Sequence, residues 1–182
     1  MNNCLIALLV VTFVTGSVIA APHPGLSTEH LLNKQKGIFL LPHGFKMSFN
    51  SNWDLQMQPN SGSVLEAFQK KRSWPRLLVT KTKLKADTSI EGYTKKWIQN
   101  YSSYGFEITN QKIFNMGGTN AIAIDLRELN SKIMARQYIQ VKDKVALVIT
   151  CSDEKDFFNS AITECNQVIQ SFEWSKSPEK AL

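Results

Sequence analysis

The sequence predicts a single α+β domain in which an antiparallel β-sheet is flanked by helices. Three features of the chain carry that class. Val145, Ala146, Leu147, Val148 and Ile149 form a nearly continuous apolar run, as in a strand covered on both faces. Asp87 to Tyr104 and Phe157 to Phe172 repeat apolar side chains at three- and four-residue steps, the spacing of amphipathic helices. The other apolar runs are joined by turns of hairpin length, which implies antiparallel pairing. A length of 182 residues suits one such domain.

From the N-terminus, Cys4 to Ala21 contains no charged side chain, and the apolar run Leu5 to Val14 is short for a bilayer span, which needs ~20 residues. Gly16-Ser17 breaks the run and Val18-Ile19-Ala20 follows, small and apolar as signal-peptide cleavage requires. Residues Met1 to Ala20 therefore read as a signal peptide, with a membrane anchor as the alternative. Ala21 to Lys36 is a polar lead-in with a short helix around Thr28 to Asn33. The domain proper runs from Gly37 to Trp174, and Ser175 to Leu182 is a flexible polar tail.

Within the domain, Gly37 to Leu41 and Phe45 to Phe49 form a hairpin around Pro42-His43-Gly44. Trp53 to Gln58 adds a strand, and Val64 to Lys71 and Arg76 to Leu84 add two more around Ser73-Trp74-Pro75. The helix Asp87 to Tyr104 has Thr88 and Glu91 at capping-box spacing and a stripe of Ile90, Tyr93, Trp97, Ile98, Tyr101 and Tyr104, closed by Gly105. Strands follow at Phe106 to Phe114, Asn120 to Leu129 and Ile133 to Val141. In the second of these, Ile122, Ile124 and Leu126 alternate with Ala121, Ala123, Asp125 and Arg127, as in a half-buried strand. Lys142-Asp143 turns into the central strand. The final helix carries Phe157, Phe158, Ala161, Ile162, Cys165, Val168, Ile169 and Phe172 on one stripe, with Asp153, Glu154 and Asp156 at its positive end.

Cys4 leaves with the signal peptide, so the exported chain keeps Cys151 and Cys165. An even pair in an oxidising compartment reads as a disulfide, here between the central strand and the inward stripe of the last helix. The alternative is two buried free thiols.

The strongest charge feature is Lys70, Lys71, Arg72, Arg76, Lys81, Lys83 and Lys85, with no acid between Gln69 and Ala86. Lys81, Lys83 and Lys85 share a face and Trp74 sits at the turn, so the segment reads as a basic hairpin for an anionic partner, in keeping with a formal net charge of +6. Nucleic acid fits less well, since a single aromatic is interleaved for stacking. The competing reading is that the lysines guard an edge strand against pairing with other chains.

The remaining residues assign no catalytic group, metal or cofactor. Pro22 lacks the amide that a copper site built on His23 needs, and His30 and His43 have no ligand partners at metal spacing. There is no Gly-x-Ser-x-Gly elbow, and Gly117-Gly118 lacks the lysine and spacing of a phosphate loop. Asp125 and Arg127 share a strand face and read as a surface ion pair. Trp53 and Trp97 read as packing residues, Trp74 and Trp174 as the exposed ones.

Gly44 to Phe49, Asn52-Trp53, the helix with Tyr93 and Trp97, and the closing Thr150-Cys151 strand with a helix ending Gln170-Ser171-Phe172 resemble the PsbP-like superfamily, and within it the bacterial exported DcrB-like proteins. The resemblance spans about Gly37 to Phe172. It implies an α/β/α sandwich and little chemistry, because members include photosystem accessory proteins, a nuclear protein that binds a small GTPase, and bacterial envelope proteins. No cysteine stands directly after the signal peptide, which departs from the lipid-anchored DcrB pattern. The expected function is that of an exported, periplasmic or secreted, non-enzymatic accessory protein whose basic hairpin engages an envelope protein or an anionic envelope component. The alternatives are a small-ligand or metal carrier with a cleft between sheet and helix, and an enzyme of unrecognised type.

Overall fold

The apolar run at Val145 is the middle of the molecule because its side chains have cover on both sides. In the computed structural model, residues 44–56, 63–70 and 76–175 are described in full and 32–33 and 38–41 as backbone. The strands are β1 (Leu32–Asn33), β2 (Ile38–Leu41), β3 (Phe45–Ser48), β4 (Trp53–Gln56), β5 (Ser63–Gln69), β6 (Arg76–Lys83), β7 (Phe106–Met116), β8 (Thr119–Glu128), β9 (Ile133–Lys142), β10 (Val145–Glu154) and β11 (Glu173–Trp174). The helices are α1 (Ile90–Tyr101), continued by a 3₁₀ turn over Ser102–Tyr104, and α2 (Phe158–Gln170). The predicted signal peptide, most of the lead-in and the tail after Ser175 lie outside the described residues.

Seven strands form one antiparallel sheet in the order β4-β5-β6-β10-β9-β8-β7, so β10 pairs with β6 on one side and β9 on the other. Alternate residues face opposite ways. Leu147, Ile149 and Cys151 join Leu77, Val79, Ala121, Ala123 and Tyr138 in one cluster, which α2 covers with Phe158, Ile162, Cys165, Val168 and Ile169. Val148, Ile122, Ile124 and Leu126 point the other way, into a second cluster beneath Tyr93, Trp97, Ile98 and Tyr101 of α1. The helical cover is partial, since α1 lies over β7, β8 and β9 and α2 over β9 and β10.

A four-stranded sheet, β1-β2-β3-β11, completes the α2 side. Phe45, Met47, Phe172 and Trp174 bring it into the larger cluster. Trp174 is therefore packed, not exposed, edge-on to Phe45 and Phe172 at centroid distances of 6.2 and 5.3 Å. At the β7–β8 turn Gly117 has φ +58°, and a Cβ there would lie 2.8 Å from the Phe172 ring, so glycine is required for conformation and for space.

Several expectations at element ends change. α1 begins at Ile90, and its cap is Ser89, whose Oγ accepts the Gly92 N–H at 3.0 Å, while Thr88 Oγ1 donates to the carbonyl of Ala86. Where a helix is expected at Thr28 to Asn33, Leu32–Asn33 forms the two-residue strand β1, and the rest of that segment lies outside the described residues. No acid lies in the first turn of α2, since Asp153 and Glu154 belong to β10 and Asp153 is fully buried. β8 is buried on both faces, with Ala121 and Ala123 under the aromatic pair Phe114–Tyr138 as well as Ile122 and Ile124 on the α1 side. Small alanines there read as polar-side positions in sequence but serve as a floor for bulkier neighbours. Cys151 and Cys165 are joined by a disulfide with Cα atoms 6.4 Å apart, tying β10 to α2.

Candidate binding surface

β5 and β6 form the predicted hairpin, in the register Leu65↔Val79 and Ala67↔Leu77. Its charges divide between two ends. Arg76 to Lys83 spans seven residue steps, roughly 23 Å of extended chain. At the turn end, exposed Lys70 reaches Asp54 at 4.0 Å. Arg76 pairs with Glu66, which is 2% exposed, and stacks 5.7 Å from the Phe68 ring, so its charge is used within the protein. Lys71, Arg72 and Trp74 lie outside the described residues.

At the other end the lysines acquire company from a different hairpin. Across β6, β10 and β9, Lys83, Val145 and Lys142 stand in one row, and Lys81, Leu147 and Gln140 in the next. Adjacent strands lie about 4.8 Å apart, so Lys83 and Lys142 arise roughly 10 Å from each other on the α2 face. The β9–β10 turn uses positive φ at Asp143 and Lys144, and the carbonyl of Lys144 accepts the Leu84 N–H at 2.7 Å, which holds Lys85 and Lys144 at this end as well. Lys144 lies 3.8 Å from Asp87, both well exposed. Lys81, Lys83, Lys85, Lys142 and Lys144 thus share one end of the sheet, where the acids of the same segments are Asp87 and Asp143.

Mutual repulsion of two such ammonium groups 10 Å apart costs roughly 0.4 kcal/mol in water, small enough for the fold to tolerate and additive toward an incoming anion. Trp174 gives the patch a fixed side. Its ring lies 5.6 Å from Lys142 Nζ, and its Nε1–H donates to Gln140 Oε1 at 2.9 Å. Fully buried Gln140 in turn donates to the carbonyl of Met116 at 2.7 Å and to Thr119 Oγ1. β6 lies inside the sheet, so edge protection does not account for its lysines. Lys142 and Lys144 were not singled out from sequence, because only strand order places the β9–β10 turn beside β6.

Two other arrangements bear on chemistry. Asp125 and Arg127 do not pair with each other. Arg136 donates to both Asp125 oxygens at 2.5 and 2.8 Å, joined by Asn110 at 3.3 Å, and Arg127 pairs with Glu107 across the strands. A surface depression of about 430 Å³ lies at the opposite end of the sheet, between the β8–β9 turn at Ser131-Lys132 and the β10–α2 loop at Lys155-Asp156. It opens to solvent with both charge signs on its rim and is not a cleft between sheet and helix. Among the described residues, no group of three or more His, Cys, Asp or Glu side chains is placed to hold a metal, and no helix is long and apolar enough to cross a membrane.

No protein-family model matches the chain, and no curated protein does. Solved structures do. The cyanobacterial PsbP protein CyanoP from Synechocystis sp. PCC 6803 matches with a TM-score of 0.60 at 13% identity, over 87% of this chain and 99% of that one. LpqN of Mycobacterium tuberculosis, described as involved in cell envelope biogenesis, matches with a TM-score of 0.52 at 10% identity, over 79% of this chain and 87% of that one. A Bacteroides thetaiotaomicron protein matches at 0.58 and 17% identity, over 80% of this chain and 51% of that one. The chain therefore has the PsbP-like fold, a sheet-dominated antiparallel architecture with two α-helices among the described residues.

Proposed function

We propose that this is a non-enzymatic accessory protein of the cell envelope, exported and of the DcrB-like kind, that works by binding an anionic envelope component through the lysine-rich end of its large sheet. The observation that carries the reading is the register across β6, β10 and β9, which aligns Lys81, Lys83 and Lys142 on one face with Lys85 and Lys144 beside them. Two lysine-bearing segments distant in sequence converge there, and Trp174 holds one of them in place. The fold shared with LpqN supports an envelope setting.

The test is co-sedimentation with vesicles containing phosphatidylglycerol, against purely zwitterionic vesicles, at low and high salt. Wild-type protein is expected to bind the anionic vesicles at low salt and to release as salt screens the contact. The triple variant K81Q/K83Q/K142Q is expected to lose about 2 to 3 kcal/mol of binding, near 1 kcal/mol per lysine, while keeping the cooperative melt of a folded protein. Equal binding by wild type and variant overturns the assignment of the surface. Failure of wild type to bind, together with no capture from envelope extract, overturns the anionic-partner reading itself.

A further inference from the structure

The large sheet ends on one side in β4, four residues long, and on the other in β7, eleven residues long. An open edge exposes unpaired N–H and C=O groups that template pairing with another strand, and proteins shorten, charge or bend such edges to prevent it. β4 is short and carries Asp54 against Lys70. β7 is bent once, by a register shift between Ile108 and Asn110. From Asn110 to Met116 it then runs regularly for seven residues, with Lys112 as its single charge and no proline. Among the described residues no strand pairs with its outer side. In the middle of that stretch Ile113 is 66% exposed, the highest value among the exposed large hydrophobic residues described.

We propose that β7 pairs antiparallel with β7 of a second copy of this chain about a two-fold axis at Ile113, joining the two large sheets edge to edge. A two-fold contact must be complementary to itself, and this stretch is. With the axis on Ile113, each Ile113 faces the other. Lys112 then faces the partner's Phe114, Gln111 the partner's Asn115, and Asn110 the partner's Met116. Residues two apart share a sheet face, so every pair in this register lies on a common face. Ile113 is also the central residue between the bulge at Thr109 and the turn at Gly117-Gly118, so all seven residues pair. Moving the axis to Lys112 sets two lysines directly opposite, which is destabilising, and moving it to Phe114 runs the pairing into the glycine turn. The self-matching register favours a second copy over an unrelated strand.

The experiment measures molar mass by light scattering across a dilution series, then thiol cross-linking in a Cys4→Ser background with the Cys151–Cys165 bond intact. Wild type is expected to go from dimer to monomer on dilution. Ile113→Lys, an exposed substitution that leaves the melting temperature of the dilute monomer unchanged, weakens self-association by roughly tenfold or more, as like charges directly opposed would. Ile113→Cys forms a disulfide-linked dimer with diamide as oxidant, and Gln111→Cys, opposite Asn115, forms it far more slowly. A wild type monomeric at every concentration overturns the proposal, whether or not β7 accepts a strand from another protein. So does a dimer untouched by Ile113→Lys, or equal cross-linking at positions 111 and 113.

Discussion

Gln140 shows how one polar side chain decides the packing of a chain terminus. It is fully buried, yet both ends of its amide are occupied, the NH₂ by Met116 and Thr119 and the oxygen by Trp174 Nε1–H. A buried polar group left without its partner costs about 1–3 kcal/mol. Gln140→Leu orphans the indole N–H and the Met116 carbonyl together, and a loss of about 3 kcal/mol is expected, read as a lower urea midpoint with an unchanged slope. The same variant is expected to raise the exposure of Trp174, visible as a red shift in its fluorescence. Nothing in the local sequence marks Gln140, because a glutamine in an apolar strand is indistinguishable from one facing water until its neighbours are known.

At the scale of elements, the disulfide decides how firmly α2 is held. Its loop spans 14 residues in sequence separation, and closing it removes about 3 kcal/mol of unfolded-chain entropy in the chain-entropy model. The variant C151A/C165A is expected to fold but to lose about that much, with faster hydrogen exchange in α2 than in α1, because α1 is held by Tyr101 and its aromatic neighbours. Most elements were legible in advance, since apolar periodicity and turn residues are local signals. The ends were less so. Ser89 and Thr88 are equally suited to cap α1, and only the backbone path of the preceding segment selects Ser89. β1, β11 and the four-stranded sheet were not anticipated, because two-residue strands carry no periodicity.

At the scale of the whole molecule, each sheet face buries a tyrosine whose neutral form the fold prefers. Burial pushes the Tyr138 phenol up to about 12, with nearby Arg136 opposing the shift. Burial raises Tyr101 further, and Tyr93 adds to it. Tyr138 donates to Asn166 of α2 at 2.8 Å, and Tyr101 of α1 to Gln137 at 2.5 Å, so each phenol joins a helix to the sheet. Because the folded values lie above the unfolded one, their stabilisation is intact below about pH 10 and is lost as pH rises toward the folded values. Thermal melts are expected to fall above about pH 10, with Tyr138→Phe flattening the decline by about 2 kcal/mol at the alkaline limit. Absorbance at the phenolate band, lagging behind exposed tyrosines, checks the same point.

The sequence by itself determined the α+β class, the two amphipathic helices, the central strand, most of the hairpins and the pairing of the two cysteines. Each rests on periodicity, turn chemistry or counting along the chain. It also located Lys81, Lys83 and Lys85 but grouped them with Lys70 and Arg76, which the hairpin holds at its other end. Only the tertiary structure decided that β6 is interior, that Lys142 and Lys144 join its lysines, that Arg76 pairs with buried Glu66, and that β7 is the long outer strand of the sheet among the described residues. Strand order is set by which faces bury best against each other across the whole chain, and no window of neighbouring residues contains that information.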